Sequence, residues 1–326
     1  MEKLRLSIAL DEYDHTRDLM SGRVPVEGVE LIAMNLQIEE IFYRNTLYHE
    51  WDVAELSMGK YVSLRSQGDD TFTAIPVFVS RQFRHSMIYV RDDGKLTRPE
   101  QLAGTRIGVP EWAQTATIYS RGYLAHGAGV PLESVDWVQA GVRQAGRVEK
   151  VKLNLPAGLK LRSVGDRTLN ELLLAGEIDA VLSARAPAGL GKGIARLFRD
   201  YRAAEENYYR DTGIYPIMHV VVVRSEVLAR HPWVAMNLLK AFEEAKRRCY
   251  ARLDEIAVSA VPLPWLADYI GQVKSLLGED FFPYGVEKNR TTLEAFLRFA
   301  HEQGVCHRLL KVEELFPKQV LTSFKV

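Results

Sequence analysis

The segment Ser80-Arg81-Gln82-Phe83-Arg84-His85-Ser86 runs into the apolar Met87-Ile88-Tyr89-Val90, so a strand opens on an arginine, a histidine and a serine. Arg84 offers a planar fork to a carboxylate, His85 a proton that moves near neutral pH, and Ser86 a hydrogen bond. Together they suit an anionic ligand and a reaction on it, although the same residues also fit a solvated turn at a strand edge. The eight histidines (15, 49, 85, 126, 219, 231, 301 and 307) show no H-E-x-x-H pairing. A metal site assembled across a cleft from His15, His85 and His219 stays open on spacing alone. No P-loop or dinucleotide fingerprint is present, and Gly189-Leu190-Gly191-Lys192-Gly193 reads as a loop.

These residues need a scaffold, and the hydropathy pattern supplies one. Residues 4–10 alternate as a strand, 28–34 form a second strand, 38–48 carry helical spacing, and 52–57 form a short strand. Strands separated by helices indicate a mainly parallel α/β sheet. A second unit follows Val90: a turn at Asp92-Asp93-Gly94, a strand at 105–110, and a helix opening at Thr115 with a hydroxyl available as cap. Thr168-Leu169-Asn170-Glu171 is a capping box, and Gly176 suits the end of that helix. A strand at 178–182 ends at Ser183-Ala184-Arg185, and residues 200–210 are helical. The apolar run 217–223 can carry the chain back to the first unit, followed by helices over 226–252, 264–277 and 291–303. The expected architecture is a two-lobed α/β fold. An outer lobe of residues 1–90 and 215–326 holds an inserted lobe of 91–214. Crossings near 87–91 and 214–220 form a hinge with a cleft beside it.

Composition narrows the partners. The 326 residues are 47% hydrophobic and 26% charged, with 42 basic and 42 acidic side chains, which is the profile of a soluble globular protein rather than one binding nucleic acid or membrane in bulk. Cys249 and Cys306 have neither metal-ligand nor redox spacing and read as reduced thiols. The N-terminal residues go straight into a strand with no apolar leader, so a cytoplasmic location is expected. Oligomeric state is left open.

Six segments go further: SRQFRHSMIYV (80–90), GTRIGVPEWAQTATIYSRG (104–122), TLNELLLAGEIDAVLSARAP (168–187), ENYYRDTGIYPIMHVVVVR (206–224), LPW (263–265) and PYGVEKNR (283–290). With them the chain, from about residue 4 to its end, resembles the 4,5-dihydroxyphthalate decarboxylase family, which uses the type II periplasmic-binding-protein fold as an enzyme. LAGTRIGV and GEIDAV are generic to that fold, whereas FRHS, SARAP and GIYPIMH are specific. The resemblance implies removal of one carboxylate from a dihydroxylated aromatic acid, with no cofactor and a small aromatic carboxylate as partner. Family members often carry Arg where this chain has His15, which favours an anion contact at that position.

Such a reaction must orient carboxylates, share a phenol proton and deliver a proton to carbon. His85 and His219, each beside a crossing, are the candidate proton carriers, and either also fits a structural role. Glu55, before Ser57 at a strand end, is a further acid–base candidate because strand carboxyl ends face the crevice in open α/β sheets. Arg84 and Arg185 are candidate carboxylate anchors, with structural ion pairs as the alternative. Gln114, Thr115 and Ala116 begin a helix whose free N–H groups suit a second carboxylate. His15 and Thr16, after the first strand, could close the polar side of a bound ring. Ser57, Ser86 and Ser183 complete the candidate set. The competing function is a solute-binding protein that captures an aromatic or dicarboxylic anion for an ABC-type transporter. A third is a lyase or dehydratase of the menaquinone type on the same fold.

Overall fold

Apolar alternation in the first and last thirds of the chain builds one sheet, and the middle third builds another. The computed structural model describes residues 2–258 and 260–322. In chain order it runs β1 (Leu4–Leu10), α1 (Arg17–Met20), β2 (Val29–Asn35), α2 (Ile38–Tyr48), β3 (Val53–Ser57), α3 (Met58–Ser66) and β4 (Phe72–Arg81). Next come β5 (Ile88–Arg91), β6 (Arg106–Val109), α4 (Thr115–His126), β7 (Asp136–Gln139), β8 (Lys160–Ser163), α5 (Leu169–Leu174), β9 (Ala180–Leu182), β10 (Ile194–Arg196) and α6 (Tyr201–Thr212). The last part is β11 (Ile217–Arg224), α7 (Ser225–Arg230), α8 (Trp233–Leu253), α9 (Leu266–Leu277) and α10 (Arg290–Glu302).

The first sheet has the order β2-β1-β3-β11-β4, and the second β10-β5-β9-β6-β7-β8. β1 lies parallel to β2 and β3, while β11 runs antiparallel between β3 and β4. In the second sheet β9, β6, β7 and β8 are parallel, with β5 antiparallel to β9. Both sheets are mixed and flanked by helices, as the α/β reading expects. The chain leaves the first sheet after Arg81, enters the second at Ile88, and returns at Ile217. The strand ends of the two sheets therefore meet beside two crossing segments. Among the described residues no helix is long and apolar enough to cross a membrane.

Two local differences from the sequence reading have clear causes. The helix expected over 226–252 is divided between α7 and α8, because Pro232 lacks an N–H and its ring clashes with the preceding turn. Helix α3 carries no readable period because it is buried nearly all round, including Met58, Gly59, Lys60, Tyr61, Val62 and Ser63. The expected capping box is present: Thr168 Oγ1 accepts the Glu171 N–H, and the Glu171 carboxylate accepts the Thr168 N–H.

One apolar cluster runs through both units, from Val53 and Val221 of the first sheet to Ile107, Trp112 and Phe299, and a smaller one around Tyr89, Leu169 and Ile194 lies in the second unit. Helix α10 seals α4. Trp112 Nε1 donates to the Gln303 carbonyl at 2.7 Å, and Arg121 Nε donates to Gln303 Oε1 at 2.8 Å. The fit is tight at Gly122, where an added Cβ would stand 2.4 Å from Phe299 Cδ2. Phe299 is itself buried and cannot swing away. Gly122→Val should therefore overpack the α4–α10 seam and lower stability by about 1–3 kcal/mol. The check is a urea titration in which the midpoint falls with the slope unchanged.

Candidate active site

The pairing of β3 with β11 sets the geometry. Ser57 lies opposite His219 and Glu55 opposite Val221, so Glu55, Ser57 and His219 occupy one face where the strands of the first sheet end. Glu55 is fully buried. Its Oε1 lies 2.7 Å from His219 Nδ1 and accepts the Tyr13 hydroxyl at 2.5 Å. Its Oε2 accepts the Asp11 N–H at 3.0 Å. Burial, and then the neighbouring Glu55 carboxylate, hold the Tyr13 phenol far above its usual range, so Tyr13 remains a donor. A Glu55 carboxylate that accepts from Nδ1 puts Nε2, which makes no hydrogen bond among the described residues, on the far side of the ring. The edge-on ring of Phe42, 4.9 Å away, fixes the imidazole plane.

Tyr13 and Phe42 were missed by sequence reading. Tyr13 sits in the same polar stretch as His15 and Thr16, but its significance depends on Glu55, 42 residues later. Phe42 reads as ordinary helix spacing. His15 and Thr16 shape the loop that carries Tyr13. The His15 ring packs 4.8 Å from Phe282 and 5.3 Å from Tyr13, and burial lowers its pKa to about 4, so it is neutral at neutral pH. Thr16 is buried at the start of α1, and its hydroxyl donates to the Tyr13 carbonyl at 3.3 Å.

Thr115 was expected to cap α4, but its hydroxyl serves the opposite unit. Its Oγ1 lies 2.9 Å from Ser57 Oγ and accepts the Gly59 N–H at 2.9 Å. The N-termini of α3 and α4 therefore abut. A Cβ at Gly59 would stand 2.6 Å from the Ala113 carbonyl oxygen, so the approach needs glycine. In α4 the N–H groups of Thr117 and Ile118 go back to the Gln114 carbonyl, which leaves those of Thr115 and Ala116 outside the helix ladder. Gln114 Oε1 reaches the Ala184 N–H at 3.5 Å, and buried Ser183 accepts the Arg185 N–H at 3.2 Å. Arg185 itself is exposed and its guanidinium pairs with Glu39 on α2. It bridges the two units rather than pointing at the Glu55–His219 cluster.

Arg84, His85 and Ser86 form a separate group on the first crossing. Arg84 is buried and its Nε donates to Met218 Sδ at 3.1 Å, with burial pulling its pKa down to about 10. The His85 ring is enclosed by Tyr123 at 4.2 Å, Tyr208 at 4.9 Å and Phe198 at 5.5 Å. Burial lowers its pKa to about 4, which keeps it neutral. The Ser86 N–H donates to Glu205 Oε1 at 2.9 Å. His15, His85 and His219 thus have different neighbours, and among the described residues no group of three or more His, Cys, Asp or Glu side chains is placed to share an ion. Cys249 and Cys306 are free and buried, and Cys249 Sγ donates to Asp14 Oδ2 at 3.0 Å.

Comparison with known proteins adds sequence and fold relatives. The chain is 38% identical over 330 aligned residues to a 4,5-dihydroxyphthalate decarboxylase of Comamonas testosteroni, spanning all of both chains. It is 39% identical over 214 residues to a Pseudomonas putida protein of the same name, covering 64% of this chain and 83% of that one. No family model matches. Among solved structures, the periplasmic aliphatic sulphonate binding protein of Escherichia coli superposes with a TM-score of 0.53 at 11% identity, covering 100% of this chain and 95% of that one. The desulfurization enzyme DSZB gives 0.50 at 17% identity, covering 96% of each. At these identities the structural neighbours show the fold alone, one shared by binding proteins and an enzyme.

Proposed function

The chain belongs to the 4,5-dihydroxyphthalate decarboxylase family, and from that premise we propose that it takes one carboxylate from 4,5-dihydroxyphthalate with His219 as the proton carrier. It is a carboxy-lyase. The observation that supports the residue assignment is the buried Glu55 carboxylate, which holds His219 through Nδ1 and is itself held by Tyr13 and the Asp11 N–H.

The chemistry follows from the substrate. Each carboxylate of 4,5-dihydroxyphthalate is para to a hydroxyl. As that hydroxyl gives up its proton to a base, its electrons move into the ring and the carbon bearing the carboxylate takes a proton, giving a quinoid intermediate. The bond to the carboxylate then breaks, its electron pair returns to the ring, and carbon dioxide leaves. The phenol oxygen regains its proton. One proton is consumed overall, and the product is 3,4-dihydroxybenzoate. His219 Nε2 delivers the proton to carbon, while the Glu55 charge stabilises the imidazolium before transfer and fixes its tautomer. The second carboxylate lies against the Thr115 and Ala116 N–H groups, where the dipole of α4 favours a negative charge. Closure of Ser57 onto Thr115 keeps water out of the site. A cytoplasmic enzyme acting on a small aromatic acid is the setting this chemistry fits.

The test is direct. Purified protein incubated with 4,5-dihydroxyphthalate should release one carbon dioxide per molecule while the aromatic spectrum shifts to that of 3,4-dihydroxybenzoate. Saturable binding of the acid with no carbon dioxide would overturn the assignment and favour the solute-binding function.

A further inference from the structure

Behind the crossing segments lies a second pocket, mostly apolar in its walls, that the proposed reaction does not use. Arg84, His85, Ile88, Tyr119, Tyr123 and Tyr208 contribute to its walls, with Ser120 and Pro216 completing them. The centre of a water-sized sphere can move through about 10 Å³ of it, room for one small species of a few atoms. None of Glu55, His219 or Tyr13 lines it. Along α4, Tyr123 stands two turns beyond Thr115, about 12 Å at 1.5 Å per residue. Adjacent residues of β11 also serve different groups: Met218 Sδ receives Arg84 Nε, while His219 Nδ1 meets Glu55.

The charge in this pocket is unbalanced. Arg84 is 7% exposed, and its hydrogen bond goes to a thioether rather than to an anion. Glu205 acts on Arg84 through space, but its Oε1 is engaged by the Ser86 N–H and the two side chains form no ion pair. A buried guanidinium held by no direct ion pair is costly. His85 is 4% exposed, and both its ring nitrogens are buried without a hydrogen-bond partner. Such orphaned groups are rare in folded proteins and call for a ligand. One donor fork, one imidazole able to present an N–H, and aromatic walls around a small space make a receptor for one small negative charge.

We propose that this pocket is a second site, distinct from the catalytic cleft, that binds a small monovalent anion of the size of chloride or formate. The anion would pair with the terminal nitrogens of Arg84 and accept an N–H from His85. It would join the first crossing, which carries both residues, to Pro216 beside the second crossing and to α4 and α6. Occupancy therefore ties the hinge segments together and stabilises the closed arrangement of the two units.

The experiment uses the full chain. Chloride-35 line broadening is followed as sodium formate is added, and the thermal midpoint is followed with sodium chloride or formate at constant ionic strength maintained with bulky gluconate. The expected result is one saturable site at which formate displaces chloride, with a midpoint that rises for the small anions beyond any gluconate effect. Arg84→Gln should weaken binding roughly ten- to a hundredfold. Should that variant not fold, the competition in the wild-type chain decides by itself. The arm with saturating phthalate separates the two pockets: persistence of the chloride signal supports a distinct site. Loss of the signal would place the anion in the catalytic cleft, and a midpoint indifferent to anion size would leave water as the occupant. Either outcome overturns the proposal.

Discussion

Glu55→Gln and His219→Gln should each lower kcat by roughly 10²–10⁴-fold while phthalate, which lacks the electron-donating hydroxyls, still binds within a few-fold of the wild type. Gln at position 55 keeps the size and one acceptor oxygen, but it removes the carboxylate that lies 2.7 Å from His219 Nδ1. The imidazole then loses its fixed tautomer and the partner that stabilises it when charged. Gln at position 219 leaves no group able to carry a proton to carbon. Tyr13→Phe should cost less than either, because the Glu55 charge and its bond to His219 survive. Stopped-flow turnover, phthalate titration and a thermal melt on the same samples separate lost chemistry from lost folding. Near-normal kcat in both Gln variants would move the proton carrier away from this cluster.

The second large effect concerns how the two units hold together. Lys60 on α3 is 7% exposed and its ammonium lies 2.8 Å from Glu111 and 2.5 Å from Glu149, both on loops of the second unit. Glu111 also meets Arg147 at 2.7 Å, and Glu149 Oε2 accepts the Ala113 N–H at 3.0 Å just before α4. Lys60→Met keeps the side-chain bulk but leaves the buried Glu111 and partly buried Glu149 carboxylates without their shared cation. Breaking a buried pair in this way costs about 3–5 kcal/mol. The loss should depend on pH in a definite direction. Burial alone pushes the Glu111 carboxyl up, but Lys60, then Arg147 and Lys150, pull it net below its ordinary value of 4.5. Its stabilising contribution is therefore present above 4.5 and fades as pH falls through the lower folded value. Urea titrations should show a large gap between wild type and variant at about pH 7 that narrows at about pH 4. A loss below about 1 kcal/mol, or a gap that is the same at both pH values, would mean that the cluster is not what pins the units.

Much of the architecture was legible because its determinants are local. Alternation marked β1, a short apolar stretch β3 and a continuous apolar run β11, and the helix α2 falls on the residues its spacing indicates. The Thr168–Glu171 box and Gly176 at φ +75° mark both ends of α5 from a few neighbouring residues. Family membership was legible too, through FRHS, SARAP and GIYPIMH. Helix α3 was not, because burial on all sides erases the period that would betray it.

The site divides along the same line. Residue type and position were enough to nominate Glu55, at a strand end of the kind that parallel sheets open to the crevice, and His219, beside a crossing. What joins them is the register of β11 on β3, which brings together residues 164 apart in sequence. No local pattern encodes that distance, and it is set only when the apolar faces of both strands enter one core. Tyr13 acquires its role in the same event. The same packing parts His85 from His219, although both stand at crossings, because aromatic side chains of α4 and α6 close around one while Glu55 and Phe42 hold the other. Arg185 has the chemistry of a carboxylate anchor, yet its position leaves it exposed beside Glu39. The sequence by itself determined which chemistries were available and which strand ends could present them. Tertiary structure decided which groups meet, because a proton relay or an ion pair depends on ångström-scale separations between segments that only the packed core brings together.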